Sequence, residues 1–178
     1  MKKLYHNVVC FTLYAILGWF YEVFLEVVVY QWGFTNRGVL FGPYCPVYGF
    51  GALAMVFTVY PMLAKCDKVS DRIKRIPLVF LFCMLIATAL ELATSYLLEL
   101  AIGSWPWQTY ADYTYNFQAR IALSPSLRFG LGGLLFLYVL QPLFERFTNR
   151  LGPTRTRILA IVFLVMFAAD IVYSFLLK

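Results

Sequence analysis

Long apolar runs recur along this sequence and constrain its fold more than any other feature. They cover approximately residues 5–30, 47–64, 77–102, 125–147 and 158–177. Each is close to the roughly 20 residues that an α-helix needs to cross a hydrocarbon core about 30 Å thick. Only 13% of the residues are charged, whereas a soluble domain carries about 25%. We therefore predict an all-α membrane helix bundle of about five transmembrane helices, forming a single integral membrane domain over residues 1–178.

The positive charges between the runs predict the orientation of the helices. Cytoplasmic loops are rich in Lys and Arg. With the N-terminus inside, the cytoplasmic side would hold Lys2, Lys3 and the cations of segments 65–75 and 146–157. The outer side would hold only isolated cations, namely Arg37, Arg120, Arg128 and Lys178. We predict an N-in, C-out topology, and we interpret the net charge of +6 as a topology signal and not as a surface for nucleic acid.

Acidic residues lie inside these apolar runs, where charge is costly. Glu22 and Glu26 are four residues apart and share one helix face, and Glu91 and Glu99 share another. Asp170 lies deep in the fifth run. A charged side chain at the centre of a bilayer costs at least about 2.5 kcal/mol. We expect most of these acids to face the interior of the bundle, a water-filled cavity or the outer rim.

Arg37 and Arg120 follow the first and third runs and are the expected counter-ions of the acids. Glu22 and Glu91 would lie in the outer half of the membrane, about 20 Å along their helices at about 1.5 Å per residue. We predict an outward-facing polar site for a substrate or an ion. Its members are Glu22, Arg37, Glu91, Glu99, Arg120 and Asp170. The alternative is that these charges form structural ion pairs that hold the helices together.

A stretch rich in glycine and proline follows the first run. It is Asn36-Arg37-Gly38-Val39-Leu40-Phe41-Gly42-Pro43-Tyr44-Cys45-Pro46-Val47-Tyr48-Gly49-Phe50-Gly51. Such a stretch does not form an ordinary helix entrance. Irregular backbone at membrane depth occurs only where it is buried in protein or lines a cavity. One interpretation is a re-entrant loop whose free amides suit an anionic group, and the other is a tight loop at the membrane surface.

The sequence also contains a weak internal repeat. Gly49, Gly51, Leu53 and Pro61 have the same spacing as a second set, which is Gly130, Gly132, Leu134 and Pro142. Each set follows an apolar run that carries a glutamate, either Glu22 or Glu91. Two parallel repeats, formed by runs one and two and by runs three and four, would explain the pattern. Chance is the competing explanation, because membrane helices are rich in glycine.

Several motifs resemble one known family of bacterial membrane proteins. The longest is Asn36-Arg37-Gly38-x-Leu40-x-Gly42-Pro43-x-Cys45-Pro46-x-Tyr48-Gly49-x-Gly51. Others are Gly18-Trp19-x-x-Glu22, Glu91-x-x-Thr94-Ser95-Tyr96-x-x-Glu99 and Asn116-Phe117-Gln118-x-Arg120-Ile121. Together they make the chain similar to the putative ABC-transporter permease type IV (CmpB) family.

The resemblance implies a small transport subunit of the bacterial cytoplasmic membrane. The 178 residues contain no GxxxxGK[ST] loop, so any ATPase would be a separate polypeptide. A homo-oligomer or partner chains are expected because five short helices enclose little pathway. We expect membrane lipid around the protein, and no cofactor, metal site or nucleic-acid partner. Two other classes stay open: a membrane enzyme acting on a lipid or lipid-linked headgroup, and a non-catalytic accessory or scaffold protein.

Overall fold

A computed structural model describes residues 2–177, and within them the fold is almost entirely helical. The α-helices are α1 (Lys2–Phe24), α2 (Pro46–Thr58), α3 (Tyr60–Ala64), α4 (Val69–Lys74), α5 (Ile76–Ile102), α6 (Leu123–Leu135) and α7 (Gln141–Val172). Segments of π-helix cover Leu25–Val29, Phe136–Leu140 and Tyr173–Leu177. The prediction of an all-α fold is confirmed. Lys178, counted above among the outer cations, lies outside the described residues.

Three helical stretches of the described chain are long and apolar enough to cross a membrane. They are Lys3–Val29, Ile76–Ile102 and Leu123–Phe175. The second coincides with the run predicted at 77–102. The third contains 53 residues, which would extend over about 80 Å at about 1.5 Å per residue. That length is more than twice the thickness of a hydrocarbon core, about 30 Å.

Gly152 divides this third stretch. Its φ of 73° and ψ of 169° are not helical, and Pro153 follows it. Phe144 and Phe167 would be about 35 Å apart in a straight helix. Their rings nevertheless contact side chains one turn apart on α1, with centroid distances of 5.0 Å to Tyr14 and 5.6 Å to Phe11. The chain therefore folds back at Gly152, within the basic segment predicted to separate the fourth and fifth runs.

The chain forms two compact units. The first consists of residues up to Leu53 together with those from Leu143 onward, and the second is Ala54–Pro142. In the first unit, α1 contacts the start of α2 and both arms of α7. In the second, α5 packs against α6. The single membrane domain over residues 1–178 stays a prediction.

Some local structure differs from the sequence interpretation. The charged segment 65–75 contains the short helix α4. The run 47–64 is interrupted between α2 and α3, because Pro61 has no N–H to donate to the preceding turn. The aromatic connection 103–122 contains a 3₁₀ turn and two strands of two residues each, Asn116–Phe117 and Ile121–Ala122, paired antiparallel.

A glycine allows close helix contact in each unit. In the first, a Cβ atom at Gly49 would lie 2.7 Å from the ring of Phe11 on α1. In the second, a Cβ atom at Gly130 would lie 2.6 Å from the ring of Phe80 on α5. Side chains at these positions would require the helices to separate, because packed interiors leave no such space.

These two contacts occupy equivalent positions in the proposed repeat. Gly49 and Gly130 are the first residues of the two matching sets. Phe11 precedes Glu22 by the same number of residues as Phe80 precedes Glu91. The same kind of contact between a glycine and a phenylalanine therefore joins the two helices of each pair, while the repeat itself stays a prediction.

We predict that Gly49→Ala and Gly130→Ala each destabilise the protein by about 1–3 kcal/mol, the usual cost of overpacking. Gly132→Ala is the matched control, since nothing lies within 4 Å of a Cβ atom there. It should leave stability unchanged or raise it by up to about 1 kcal/mol through helix propensity. Unfolding in detergent, followed by circular dichroism, measures the difference. Equal stability of all three variants would contradict the close contacts.

Candidate functional site

The predicted site residues are divided between the two units. Glu22, Arg37 and Asp170 belong to the first unit, and Glu91, Glu99 and Arg120 belong to the second. Within each unit, acids and an arginine are joined by hydrogen bonds to loops and neighbouring helices. That all six residues face one outward-opening site stays a prediction.

Glu26 forms an ion pair with Arg37 in the first unit. The Nε atom of Arg37 lies 3.0 Å from Oε2 of Glu26, whose side chain is 4% exposed. Thr35 donates from its backbone N–H to Oε2 at 3.2 Å and from its hydroxyl to Oε1 at 2.5 Å. Glu26 lies in the π-helical segment Leu25–Val29, and such segments are frequent at functional sites. The contacts with Arg37 and Thr35 satisfy the Glu26 carboxylate at the end of the first helix.

Glu22, one turn earlier on α1, binds a different partner. The hydroxyl of Tyr48 on α2 donates a hydrogen bond to Oε1 of Glu22. Gly18 makes room for this arrangement, since a Cβ atom there would overlap the ring of Tyr48. Gly18 and Glu22 are four residues apart and therefore lie on the same face of α1. This pair joins the first two helices without an arginine.

Asp170 is bound by the loop that precedes α2. Its Oδ1 accepts from the N–H of Phe41 at 2.9 Å and from the hydroxyl of Ser174 at 2.8 Å. Its Oδ2 accepts from the N–H of Gly42 at 2.7 Å and from the hydroxyl of Tyr44. Burial and the contact with Asp170 raise the pKa of Tyr44. The loop amides that the sequence suggested for an anion are thus occupied by a carboxylate of the same chain.

Other residues of the glycine- and proline-rich stretch fix the loop itself. Asn36 accepts from the indole N–H of Trp19 at 2.8 Å and donates to the carbonyls of Leu40 and Phe41 at 3.3 and 2.7 Å. Gly38 has a φ of 94°, a backbone angle that residues other than glycine rarely adopt. The stretch is a folded loop with internal hydrogen bonds, and Pro46 begins α2.

Cys45 is held inside this loop. Its backbone N–H donates to the carbonyl of Ala15 at 2.9 Å, and its thiol contacts the carbonyl of Arg37 at 3.6 Å. Burial, together with the negative charge of Glu22, raises the pKa of the Cys45 thiol to about 12. Because the thiolate is the reactive form of cysteine, the burial that raises this pKa disfavours Cys45 as a nucleophile.

In the second unit, Arg120 is buried between two aromatic rings. Its guanidinium carbon lies 4.0 Å from the ring centroids of both Tyr96 and Trp105. Its Nη2 lies 2.5 Å from Oε2 of Glu99, and its Nη1 donates to the hydroxyl of Ser95 at 3.4 Å. Cation–π contacts of a desolvated guanidinium contribute about 2 kcal/mol. This cation is therefore fixed in position.

Glu91 also binds the aromatic connection. The hydroxyl of Tyr110 donates to its Oε1 at 2.7 Å. The indole N–H of Trp107 donates to the carbonyl of Arg120 at 2.9 Å. The connection, whose aromatic residues are typical of a membrane interface, is thus folded onto α5.

Sequence reasoning anticipated arginines as partners of the acids but not the individual pairs. Arg37 pairs with Glu26 and Arg120 pairs with Glu99, while Glu22 and Glu91 bind tyrosine hydroxyls. The role of Ser174 was also missed. Its position four residues after Asp170, on the same helix face, is the signal that could have revealed it.

We predict that Arg37→Gln destabilises the protein by about 3 kcal/mol, because it leaves the buried Glu26 without its counter-ion. The double variant Glu26→Gln/Arg37→Gln should cost less than Arg37→Gln alone, since it also removes the buried charge. Arg150→Gln, at an exposed position, serves as the control. Thermal unfolding in detergent compares them, and additive losses in the double variant would rule out a coupled pair.

At the level of the whole sequence, the chain resembles one known family. A family model described as "Putative ABC-transporter type IV" matches residues 9–175, nearly the whole chain. No curated protein and no solved structure matches it. The three long apolar stretches and this match together indicate a membrane protein. The resemblance drawn from the motifs is confirmed: the chain belongs to the putative ABC-transporter type IV family.

Proposed function

We propose that the chain is a small membrane subunit, of permease type, of an ABC transporter in the bacterial cytoplasmic membrane. The family match over residues 9–175 carries the proposal. Five membrane crossings are favoured by the fold-back at Gly152, which divides the 53-residue apolar stretch. The position of the cations supports an N-terminus on the cytoplasmic side.

The proposal places ATP hydrolysis on a separate chain, because these 178 residues contain no phosphate-binding GxxxxGK[ST] loop. Helix α4 is the docking surface that we propose for it. Val69 and Ile73 are four residues apart on this helix and are 73% and 58% exposed. Exposed apolar side chains side by side are typical of interaction surfaces.

Helix α4 is firmly attached at its carboxyl end. The hydroxyl of Tyr138 donates to the carbonyl of Arg72 at 2.7 Å, and Arg75 donates to the carbonyl of Met62 at 2.5 Å. A rigid exposed helix can transmit movement of a bound ATPase to the helices on either side, α3 and α5. This attachment supports α4 as a coupling surface.

The polar clusters are proposed to line outward-facing sites. Arg37 and Glu99 have the most exposed side chains of the two ion pairs, at 29% and 44%, so they are the charges that a solute would meet first. We propose that Glu22, Glu91, Arg120 and Asp170 support them. Because the acids of each unit are bonded within that unit, a complete path would require further copies or partner chains.

We predict that a chain with ATPase activity co-purifies with the protein from native membranes. Val69→Ser/Ile73→Ser should reduce its recovery at least tenfold, because the variant removes the apolar contact of α4. Lys68→Ser, an exposed change beside the same helix, is the control and should retain the ATPase. Recovery is measured as ATP hydrolysis per mole of protein. Purified protein that never carries ATPase activity would refute the transport proposal.

A second candidate is a scaffold protein, favoured by the fact that the membrane-depth acids all have partners within the chain. Polar contacts can hold helices together in lipid, where the hydrophobic drive between them is weak. In that case the charges would contribute stability alone.

Glu22→Gln and Glu91→Gln separate the two candidates. If the protein is a scaffold, we expect both variants to be less stable. ATP hydrolysis per folded molecule should then stay unchanged. For a transport subunit, stimulation per folded molecule should also fall. Thermal unfolding and ATP hydrolysis measured on the same preparation distinguish these outcomes.

A further inference from the structure

An open groove in the second unit lies outside both polar clusters. Its volume is about 390 Å³. It is bounded by the end of the aromatic connection and the first turns of α6. Its lining residues are Tyr113, Thr114, Tyr115, Leu123, Ser124, Leu127, Arg128 and Leu131.

One wall of the groove is a stripe of leucines. Leu123, Leu127 and Leu131 recur every four residues and share one face of α6. All three side chains are exposed. The stripe extends for about 12 Å along the helix at about 1.5 Å per residue. Since α6 belongs to an apolar stretch long enough to cross a membrane, this wall matches an acyl chain that runs along the helix.

The lining of the groove also includes a positioned cation, Arg128. Nη2 of Arg128 donates to the hydroxyl of Tyr113 at 2.9 Å and to the hydroxyl of Ser124 at 3.1 Å. The guanidinium carbon lies 5.9 Å from the centroid of the Tyr113 ring. These contacts hold the positive charge beside the leucine stripe. A planar guanidinium suits phosphate oxygens better than an ammonium does.

We propose that this groove binds one phospholipid, with its phosphate at Arg128 and an acyl chain along the leucine stripe. A cation beside an apolar wall is complementary to an amphiphile with an anionic head. Tyr113 and Tyr115 are of the residue type enriched where headgroups meet acyl chains, as a bound phosphate beside them requires. A second copy of the chain could cover the leucines but would also have to bury Arg128. The inference does not depend on the proposed transport function.

Native mass spectrometry of the full chain, released from nanodiscs of phosphatidylglycerol, tests the proposal. We expect one phosphatidylglycerol per chain to survive collisional activation. Arg128→Gln should reduce this retention at least tenfold, and Leu127→Trp should do so by filling the groove without changing charge. Lys74→Gln, which removes an exposed cation elsewhere in the same unit, should retain the lipid. Arg128→Lys should give intermediate retention, because the charge remains without the fork geometry.

Two further probes identify the ligand chemistry. A galactosyl diacylglycerol with the same acyl chains should be retained at least tenfold less, because it has no phosphate. Free glycerol 3-phosphate should not compete, because it lacks the acyl chain. Equal retention of the neutral lipid, or of phosphatidylglycerol by Arg128→Gln, would overturn the proposal. A dimer that Leu127→Trp dissociates without loss of lipid would instead assign the groove to a second copy. Circular dichroism confirms that each variant is folded.

Discussion

The lack of water at membrane depth is the constraint on which the rest of this structure depends. A buried carboxylate without a hydrogen-bonding partner is costly, and irregular backbone in the membrane must be satisfied by protein. In this chain, carboxylates and loop amides satisfy each other. Asp170 accepts the amides of Phe41 and Gly42, and Glu26 accepts the amide and hydroxyl of Thr35. These hydrogen bonds hold the loop backbone near Thr35 and the loop backbone near Gly42 in place.

The sequence predicted the parts of this fold that depend on apolar length. The run at 77–102 matches α5, Ile76–Ile102, because a long uninterrupted run has only one way to satisfy its backbone in lipid. The short helix α4 was missed because six residues, three of them charged, are too few to show a helical pattern of apolar residues. The strands Asn116–Phe117 and Ile121–Ala122 are too short for alternation to show. The sequence did not predict which donor binds each acid. Tyrosine, threonine and arginine side chains can all donate to a carboxylate, and the sequence does not show which of them lies within reach.

The two units contain similar ion pairs and similar contacts between helices. In each, an arginine from the loop region pairs with a glutamate of the preceding long helix. In each, a glycine on the following helix accommodates a phenylalanine of that long helix. Arg120 differs in its aromatic sandwich, and Arg37 differs in its greater exposure. The two units thus share these contacts at matching positions, and the internal repeat itself stays a prediction.

The hydrogen bonds to Asp170 impose an order on the folding of the chain during synthesis. Phe41 and Asp170 are 129 positions apart, and the first unit contains both ends of the chain. Proteins are synthesised from the N-terminus, so Phe41 and Gly42 emerge from the ribosome long before the carboxylate that binds them. The helices of the second unit can pack before the segment from Leu143 onward, which completes the first unit, has been synthesised. Truncation before Asp170 would therefore leave the earliest loop, rather than the missing end, as the segment most exposed to proteases.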